Sequence, residues 1–239
     1  MTRLISFLAH AVYMGTPLLF GTVGEIQNEK AGHLNLGVEG TMAMGACAGF
    51  MVAYKTGSLW LSILAAFLMG ALVSLIYAFL TITMMANQNV TGLTLTIFGT
   101  GLSNFIGEQM ISASPTGNLK LPDGVMSSLK NIDIPLLSKI PVLGEVLFSQ
   151  NIFTYLSIVI AVIMFIYLKK TKVGLNLRTI GENPAVADAV GISVVKYKYI
   201  NVLIGGGICG IGGAFCSMVI NGGDRKSTRL NSSHITISY

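Results

Sequence analysis

The chain has 239 residues, of which 52% are hydrophobic and only 10% are charged, and its formal net charge is +5. Soluble domains carry about 25% charged residues, so the composition excludes an ordinary water-soluble globule and favours a membrane protein. The basic residues form no stripe with interleaved aromatic residues, which excludes a typical nucleic-acid surface.

The predicted membrane segments begin close to the N-terminus. The first, at about 4–23, is interpreted as a retained helix because it has no small-x-small cleavage site and is longer than a signal peptide. Two more spans are predicted at about 36–54 and 59–85. Residues 87–107 are apolar but rich in Gly and Thr, which suits close helix packing or a broken helix and argues against a lipid-facing helix.

The second half of the chain alternates loops and spans. Residues 112–150 contain four of the six prolines and are predicted to form an extramembrane loop. A span follows at 151–168, and the last one, at about 199–220, contains the stretch GGGICGIGG, where small residues allow close helix approach. The sequence therefore predicts an all-α polytopic membrane bundle of about six spanning or partly spanning helices.

The basic residues predict the orientation of this bundle. Residues 169–198 contain six Lys or Arg, which places this loop in the cytoplasm by the positive-inside rule. Residues 112–150 contain three Lys and three acids and are expected outside. Counting back through the spans places the N-terminus outside, provided that residues 87–107 are not re-entrant.

The last sixteen residues, DRKSTRLNSSHITISY, differ abruptly in composition. They are rich in Ser and Thr and follow no helical period, so residues 224–239 are expected to be a non-native tail derived from sequencing read-through. On this interpretation residues 1–223 are a transmembrane permease domain that is incomplete at its C-terminus.

The stretch RTIGENPAVADAVG, residues 178–191, predicts a short helix inside the charged loop. Asn183 is a good N-cap and Pro184 a favoured first helical residue. Gly191 has the place of a left-handed C′ residue. A helix of about two turns is marginal alone in water, so it needs a surface to pack against.

This stretch resembles the cytoplasmic coupling loop of ABC importer permeases, in the family that serves simple sugars, branched-chain amino acids and nucleosides. LNLGVEGTMAMGA at 34–46 and NVTGLTLTIFGTGLSNFIG at 89–107 resemble two further motifs of that family, and nucleoside-type permeases are the most similar. The resemblance implies a permease subunit in the cell membrane of a prokaryote. The implied partners are an ABC ATPase, a second permease subunit, an extracytoplasmic solute-binding protein or lipoprotein, and membrane lipid, with no nucleic acid.

The resemblance implies that this chain is not an enzyme and holds no catalytic residue, metal or cofactor. ATP and magnesium belong to the partner ATPase, and the sequence has no phosphate-binding loop of the form G-x-x-x-x-G-K-[ST]. The residues expected to couple to that ATPase are Gly181, Glu182, Asn183, Pro184, Ala187, Asp188 and Gly191. Ala187 is expected to make direct contact with it.

Polar residues inside apolar segments mark candidates for the solute path, because unsatisfied polar groups are costly in hydrocarbon. These candidates are Asn35, Glu39, Asn89, Thr91, Thr94 and Asn104. Hydrogen bonding between helices is the alternative role, especially for the threonines. Neutral amides and hydroxyls suit a nucleoside, with a simple sugar as the alternative solute.

Two other functional classes are alternatives. An ion-coupled secondary transporter needs ionisable groups within the membrane, for which His10, Glu39 and Glu108 are the candidates. A membrane enzyme has less support, because the sequence contains neither a metal-ligand cluster nor a G-x-S-x-G turn.

Overall fold

The computed structural model describes residues 2–114, 119–129, 132–133 and 149–220. The described elements, in chain order, are α1 (Thr2–Lys30), α2 (Val38–Thr56), α3 (Leu59–Ala78) with a π-helical turn (Phe79–Thr83), α4 (Gln88–Ala113), α5 (Asp123–Ser128), β1 (Ile132–Asp133), β2 (Ser149–Gln150), α6 (Ile152–Lys170), α7 (Lys172–Glu182), α8 (Pro184–Ala189), and α9 (Val194–Phe215) with a π-helical turn (Cys216–Ile220). The two short strands pair antiparallel. The predicted non-native tail lies outside the described residues.

Four of the described helices are long and apolar enough to cross a membrane by length and composition. They are Leu4–Lys30, Leu59–Thr83, Ile152–Lys170 and Val194–Ile220. The predicted all-α, multi-pass membrane bundle is confirmed. Helices α2 and α4 are also long, at 19 and 26 residues, but they are less apolar and richer in small residues.

Helices α2 and α9 form the centre of the bundle. Helix α9 packs against α1, α2 and α3, and α2 packs in addition against α4. Glycines make the closest approaches: a Cβ atom on Gly45 would lie 2.5 Å from the Cα atom of Gly210. Small residues of this kind allow two helix backbones to touch, so the predicted role of the α9 glycine run is confirmed.

Helix α4 is a single continuous helix, so of the two alternatives predicted for residues 87–107 the broken helix is wrong. The Asn87 side chain accepts hydrogen bonds from the first turn, and the glycine face packs on α2, where a Cβ atom on Gly99 would lie 2.6 Å from the Gly40 carbonyl oxygen. Close packing was the correct alternative. The opposite face of α4 exposes the apolar side chains of Ile97 and Phe105. The sequence had instead predicted a helix with no lipid-facing side.

Hydrogen bonds show which helix ends lie together. At one end the Gln150 amide donates to the Ala9 carbonyl (3.2 Å), and the Tyr13 hydroxyl donates to the Val219 carbonyl (3.0 Å). At the other end, which we call the basic end because it contains residues 169–198, the Tyr77 hydroxyl donates to the Leu34 carbonyl (2.7 Å). The N-terminal part of α1 and β2 therefore lie opposite the basic end, in agreement with the predicted orientation.

This arrangement predicts opposite labelling of two engineered cysteines. Ser127 lies in α5 and Asp188 in α8, and both are exposed. In intact cells a membrane-impermeant maleimide is expected to label Ser127→Cys and to leave Asp188→Cys unlabelled until the membrane is opened. A background with Cys216→Ser removes the half-buried native thiol, since Cys47 and Cys209 are buried. Labelling of both positions in intact cells would contradict the orientation.

Candidate functional site

A helix–corner–helix unit, formed by α7 and α8, projects from the basic end. The Thr171 hydroxyl caps α7 by accepting from the Gly174 N–H (3.0 Å). Asn183 forms the corner between the two helices. Its N–H donates the last hydrogen bond of α7 to the Thr179 carbonyl (2.8 Å), and its side-chain oxygen accepts a hydrogen bond from the Val186 N–H in the first turn of α8 (3.2 Å). The predicted N-cap is therefore confirmed. With Pro184 at the first helical position, the corner is set by local chemistry.

The C-terminal end of α8 is also determined by interactions between neighbouring residues. Gly191 has a φ of +80°, which an L residue adopts only with strain. Its N–H donates to the Asp188 carbonyl (2.9 Å), and the Ile192 N–H donates to the Ala187 carbonyl (3.0 Å). This is the paired hydrogen-bond pattern of a Schellman C-cap, so the predicted C′ role of Gly191 is confirmed.

The exposed face of α8 differs from the predicted one. Ala187 is completely buried in the chain, which leaves no exposed surface on its side chain for the expected direct contact with a partner. It lies on the side of α8 that packs against α7 and α9. The large exposed apolar side chains are instead Val186 and, at the C-cap, Val190, which are 51% and 69% exposed, while Pro184 and Asp188 are exposed beside them.

Gly181 has its own contact, with the segment that follows α1. A Cβ atom at this position would lie 2.5 Å from the Lys30 carbonyl oxygen, and one on Gly32 would lie 3.3 Å from the Gly181 Cα atom. Gly32 also has a φ of +82°. The two backbones therefore touch directly, and the end of α7 is fixed to the end of α1. Glu182, next along the chain, is exposed.

A buried network of polar side chains at the basic end was not predicted from the sequence. The Gln27 amide and the Tyr167 hydroxyl (3.0 Å) both donate to the Asn201 side-chain oxygen. The Asn201 amide donates to the Tyr197 carbonyl (2.7 Å), and the Asn176 amide donates to the Tyr197 hydroxyl (3.1 Å). We call this set the Asn201 network. It joins α1, α6, α7 and α9, and Gln27 and Asn201 are both buried.

Asn35 organises the turn before α2. Its N–H donates to the Glu25 carboxylate (2.7 Å), and its side-chain oxygen accepts from the Gly37 N–H (2.8 Å). The Asn28 amide donates to the same carboxylate (3.0 Å). Asn35 is buried, so its contacts support a structural role, although the sequence pattern placed it on the solute path.

The other path candidates are more open. Glu39, Asn89, Thr94 and Asn104 are exposed, and Thr91 is half-buried. Glu39, Asn89 and Thr94 lie in the first turns of α2 and α4, near the basic end, whereas Asn104 lies about 15 Å further along α4. The hydroxyls of Thr91 and Thr94 each donate to a carbonyl one turn earlier (both 2.8 Å). The six predicted residues thus do not form one cluster.

The described residues contain no group of three His, Cys, Asp or Glu side chains that could hold a metal ion. Cys47 and Cys209 are buried within α2 and α9. The described residues do contain an exposed short helix at the basic end, a polar network and a half-polar face of α4.

His33, between α1 and α2, predicts a pH effect on stability. It is buried against the Tyr77 ring, and neither ring nitrogen has a hydrogen-bond partner among the described residues. Burial lowers the pKa of His33 to about 4, and the nearby Lys198 charge acts in the same direction. An unfolded histidine titrates near about 6.5, so its contribution to stability is complete above that pH and is lost as the pH falls towards 4.

We therefore expect the melting temperature of the detergent-solubilised wild type to fall below pH 6.5 more steeply than that of His33→Gln. Above that pH the two curves should run parallel, because both side chains are then neutral. Scanning fluorimetry from pH 4 to 8 measures the difference. Equal slopes over the acidic range would show that His33 is not buried in its neutral form.

Comparison with known proteins gives a consistent result. The family described as branched-chain amino acid transport system / permease component matches residues 7–238. A putative glucose ABC transporter permease protein, TsgC13 of Haloferax volcanii, is 35% identical over 88% of this chain and 62% of its own length. No solved structure matches the chain.

Two further relatives are nucleoside transporters by name. The nucleoside ABC transporter permease protein NupC of Lactococcus lactis is 33% identical over 97% of this chain and 73% of its own length. The guanosine ABC transporter permease protein NupQ of Bacillus subtilis is 34% identical over 99% of this chain and 72% of its own length. The chain thus spans about three fifths to three quarters of the length of these relatives.

Proposed function

The chain belongs to the family of branched-chain amino acid transport system permease components, and we propose that it is the permease subunit of an ATP-driven importer of nucleosides. The observation that carries this proposal is α8, a capped two-turn helix that exposes two valines at the basic end of a membrane bundle. A short apolar surface held at a fixed angle is suited to a cleft on another protein.

In this proposal a separate ATPase supplies the energy. Val186 and Val190 fill the cleft on that ATPase, and Asp188 and Glu182 lie at its rim. Pro184, Asn183 and Gly191 fix the ends of the helix, and Ala187 seats it on α7 and α9. ATP and magnesium bind to the partner, so this chain binds the ATPase and moves with it without catalysing hydrolysis.

Two connections would carry the motion into the membrane. The backbone contact between Gly181 and Gly32 joins α7 to the end of α1. The Asn201 network joins α7 to α1, α6 and α9 through buried and half-buried hydrogen bonds. Because polar groups buried in a bundle are costly to separate, these helices are expected to move as a unit when α8 is displaced.

The exposed face of α4 is the proposed wall of the solute path. Thr94 and Asn104 provide a hydroxyl and an amide on this largely apolar face, while Glu39 lies near its inner end and Glu108 is exposed near its outer end. A second permease subunit would complete the path, and an extracytoplasmic binding protein or lipoprotein would deliver the solute. The site of action is the cell membrane of a prokaryote, with the basic end in the cytoplasm.

Neutral polar groups on an apolar wall suit an uncharged solute that has both hydroxyls and an apolar ring. Nucleosides have this character, and the names of the Lactococcus and Bacillus relatives support them. The Haloferax relative supports a simple sugar as the alternative.

Uptake by an importer assembled with a full-length relative of this chain tests the proposal. We expect tritiated guanosine to enter cells that also carry the ATPase and the binding protein, and unlabelled uridine or guanosine to compete while glucose and leucine do not. Competition by glucose alone would identify a sugar permease.

A control in the same cells distinguishes ATP hydrolysis from the proton gradient as the energy source for uptake. Uptake should persist when an uncoupler removes the proton gradient while ATP is maintained, and should stop when the ATPase carries an inactivated nucleotide site. The opposite pattern would favour an ion-coupled transporter that uses His10, Glu39 or Glu108.

A further inference from the structure

A half-open pocket of about 290 Å³ lies at the basic end, where α6 ends and α9 begins. Its polar side is formed by Lys196, Ser193 and Tyr197, and its apolar side by Val173 and Ile200. The remaining lining comes from Tyr167 and Asn201, which belong to the Asn201 network. The proposed coupling mechanism uses the hydrogen bonds of Tyr167 and Asn201 but gives no role to the open space beside them.

The polar side of the pocket is built for an anion. Among the described residues that line it, Lys196 is the one charged side chain and none is an acid. Ser193 stands at the N-cap position of α9, yet its hydroxyl makes no capping hydrogen bond. The Tyr197 hydroxyl accepts from Asn176, so its own proton remains available to donate. The residues that line this space therefore include one ammonium and two hydroxyl groups able to donate to an anion.

The depth of the pocket identifies the kind of anion. Tyr167 is close to the end of the candidate span Ile152–Lys170, and Lys196 is close to the start of the candidate span Val194–Ile220. The ends of spans lie at the headgroup level of a bilayer, where tyrosine and lysine are frequent. Val173 and Ile200 are exposed beside the polar side, in a position to contact methylene groups.

We infer that this pocket binds the glycerophosphate headgroup of an anionic phospholipid. Lys196, Ser193 and Tyr197 would contact the phosphate oxygens, while Val173 and Ile200 would contact the first part of the acyl chains. Inorganic phosphate would share the polar contacts but would leave the aliphatic side unused. A zwitterionic lipid would carry its own cation next to Lys196.

Native mass spectrometry of the purified chain, with phosphatidylglycerol or phosphatidylcholine added to the detergent, tests this inference. We expect retained phosphatidylglycerol adducts and few phosphatidylcholine adducts. Lys196→Gln should weaken phosphatidylglycerol binding about fivefold and Lys196→Glu roughly thirtyfold, on the basis of about 1 kcal/mol per charge near a membrane surface. Millimolar inorganic phosphate should not displace the lipid.

Two charge reversals serve as matched controls. Lys172→Glu changes a basic residue on the same end but outside the pocket, and Lys55→Glu changes one at the far end of α2. Both should bind phosphatidylglycerol within about threefold of the wild type, since they leave the pocket charge unchanged. An equal loss in Lys172→Glu and Lys196→Glu would show a diffuse basic surface, and displacement by inorganic phosphate would show a free-anion site. Either result, or wild-type binding by a folded Lys196→Glu, overturns the inference.

Discussion

Replacing Gly210 with alanine is expected to destabilise the folded chain severely, whereas replacing Gly101 with alanine is expected to stabilise it slightly. A Cβ atom on Gly210 would collide with the Ala66 carbonyl oxygen and lie 3.1 Å from the Gly70 Cα atom. These are backbone atoms of α3, which cannot turn aside as a side chain can. Overpacking of this kind costs about 1–3 kcal/mol even where side chains can adjust.

Gly101 is the matched control because it is also a helical glycine, but a Cβ atom added to it would have no neighbour within 4 Å among the described residues. Alanine there gains up to about 1 kcal/mol from helix propensity. The two variants are compared by melting temperature in detergent and by the monodisperse fraction in size-exclusion chromatography. Similar behaviour of both variants would mean that α3 and α9 are not in backbone contact.

The second large effect concerns α8. Val186→Asp is expected to abolish solute-stimulated ATP hydrolysis in the assembled importer while leaving the permease folded. The side chain is 51% exposed, and substitutions at exposed positions usually change stability by less than about 0.5 kcal/mol. Burying a valine at an interface contributes about 1.5–3 kcal/mol, and an unpaired carboxylate in its place costs more. Binding of the ATPase should therefore weaken at least about tenfold.

Two further variants make this experiment specific. Leu175→Asp places the same charge on an exposed apolar position of α7 and should retain more of the stimulated turnover, because Leu175 is outside α8. Ala187→Trp should also abolish turnover, but with a clear loss of thermal stability, because Ala187 is buried within the chain. Co-purification of the ATPase is the accompanying measurement. Full turnover in Val186→Asp would exclude α8 as the docking helix.

The ends of α8 were predictable from sequence because their causes are local. Asn183, Pro184 and Gly191 each act through hydrogen bonds or backbone angles within a few residues. Which side of α8 is buried was not predictable from the sequence, because it depends on how α8 packs against α7 and α9. A short alanine-rich helix gives no periodic signal for its buried side, and Ala187 was consequently assigned to the wrong face.

Helix α7 was missed as an element, although its pattern was present. Gly174, Leu177 and Ile180 are buried at intervals of three residues, which is the spacing of one helix face. The charged residues around them favoured a loop. The Asn201 network could not be found from one sequence, because Gln27 and Asn201 are 174 residues apart.

The solute path was the least predictable feature. A polar residue in an apolar segment indicates that a partner exists, because an unpaired polar group in hydrocarbon is costly. It does not say whether that partner is a neighbouring backbone, as for Asn35, or a solute. Only the direction of each side chain in the folded bundle separates the two roles.

The contact between Gly181 and Gly32 has a mechanical consequence. The two backbones are in direct contact there. A displacement of α7 would therefore be transmitted to α1 without being absorbed by side-chain rotation. The segment of α1 from Pro17 to Lys30 would then move as a rigid body. Pro17, inside the helix, is the expected hinge because proline removes a helical hydrogen bond. The arm from Lys30 to Pro17 is about 20 Å long, so a tilt of about 10° sweeps the end of α1 through about 3.5 Å. In the proposed mechanism, this rigid contact at the end of α1 would convert a small displacement outside the membrane into a tilt of the helix within it.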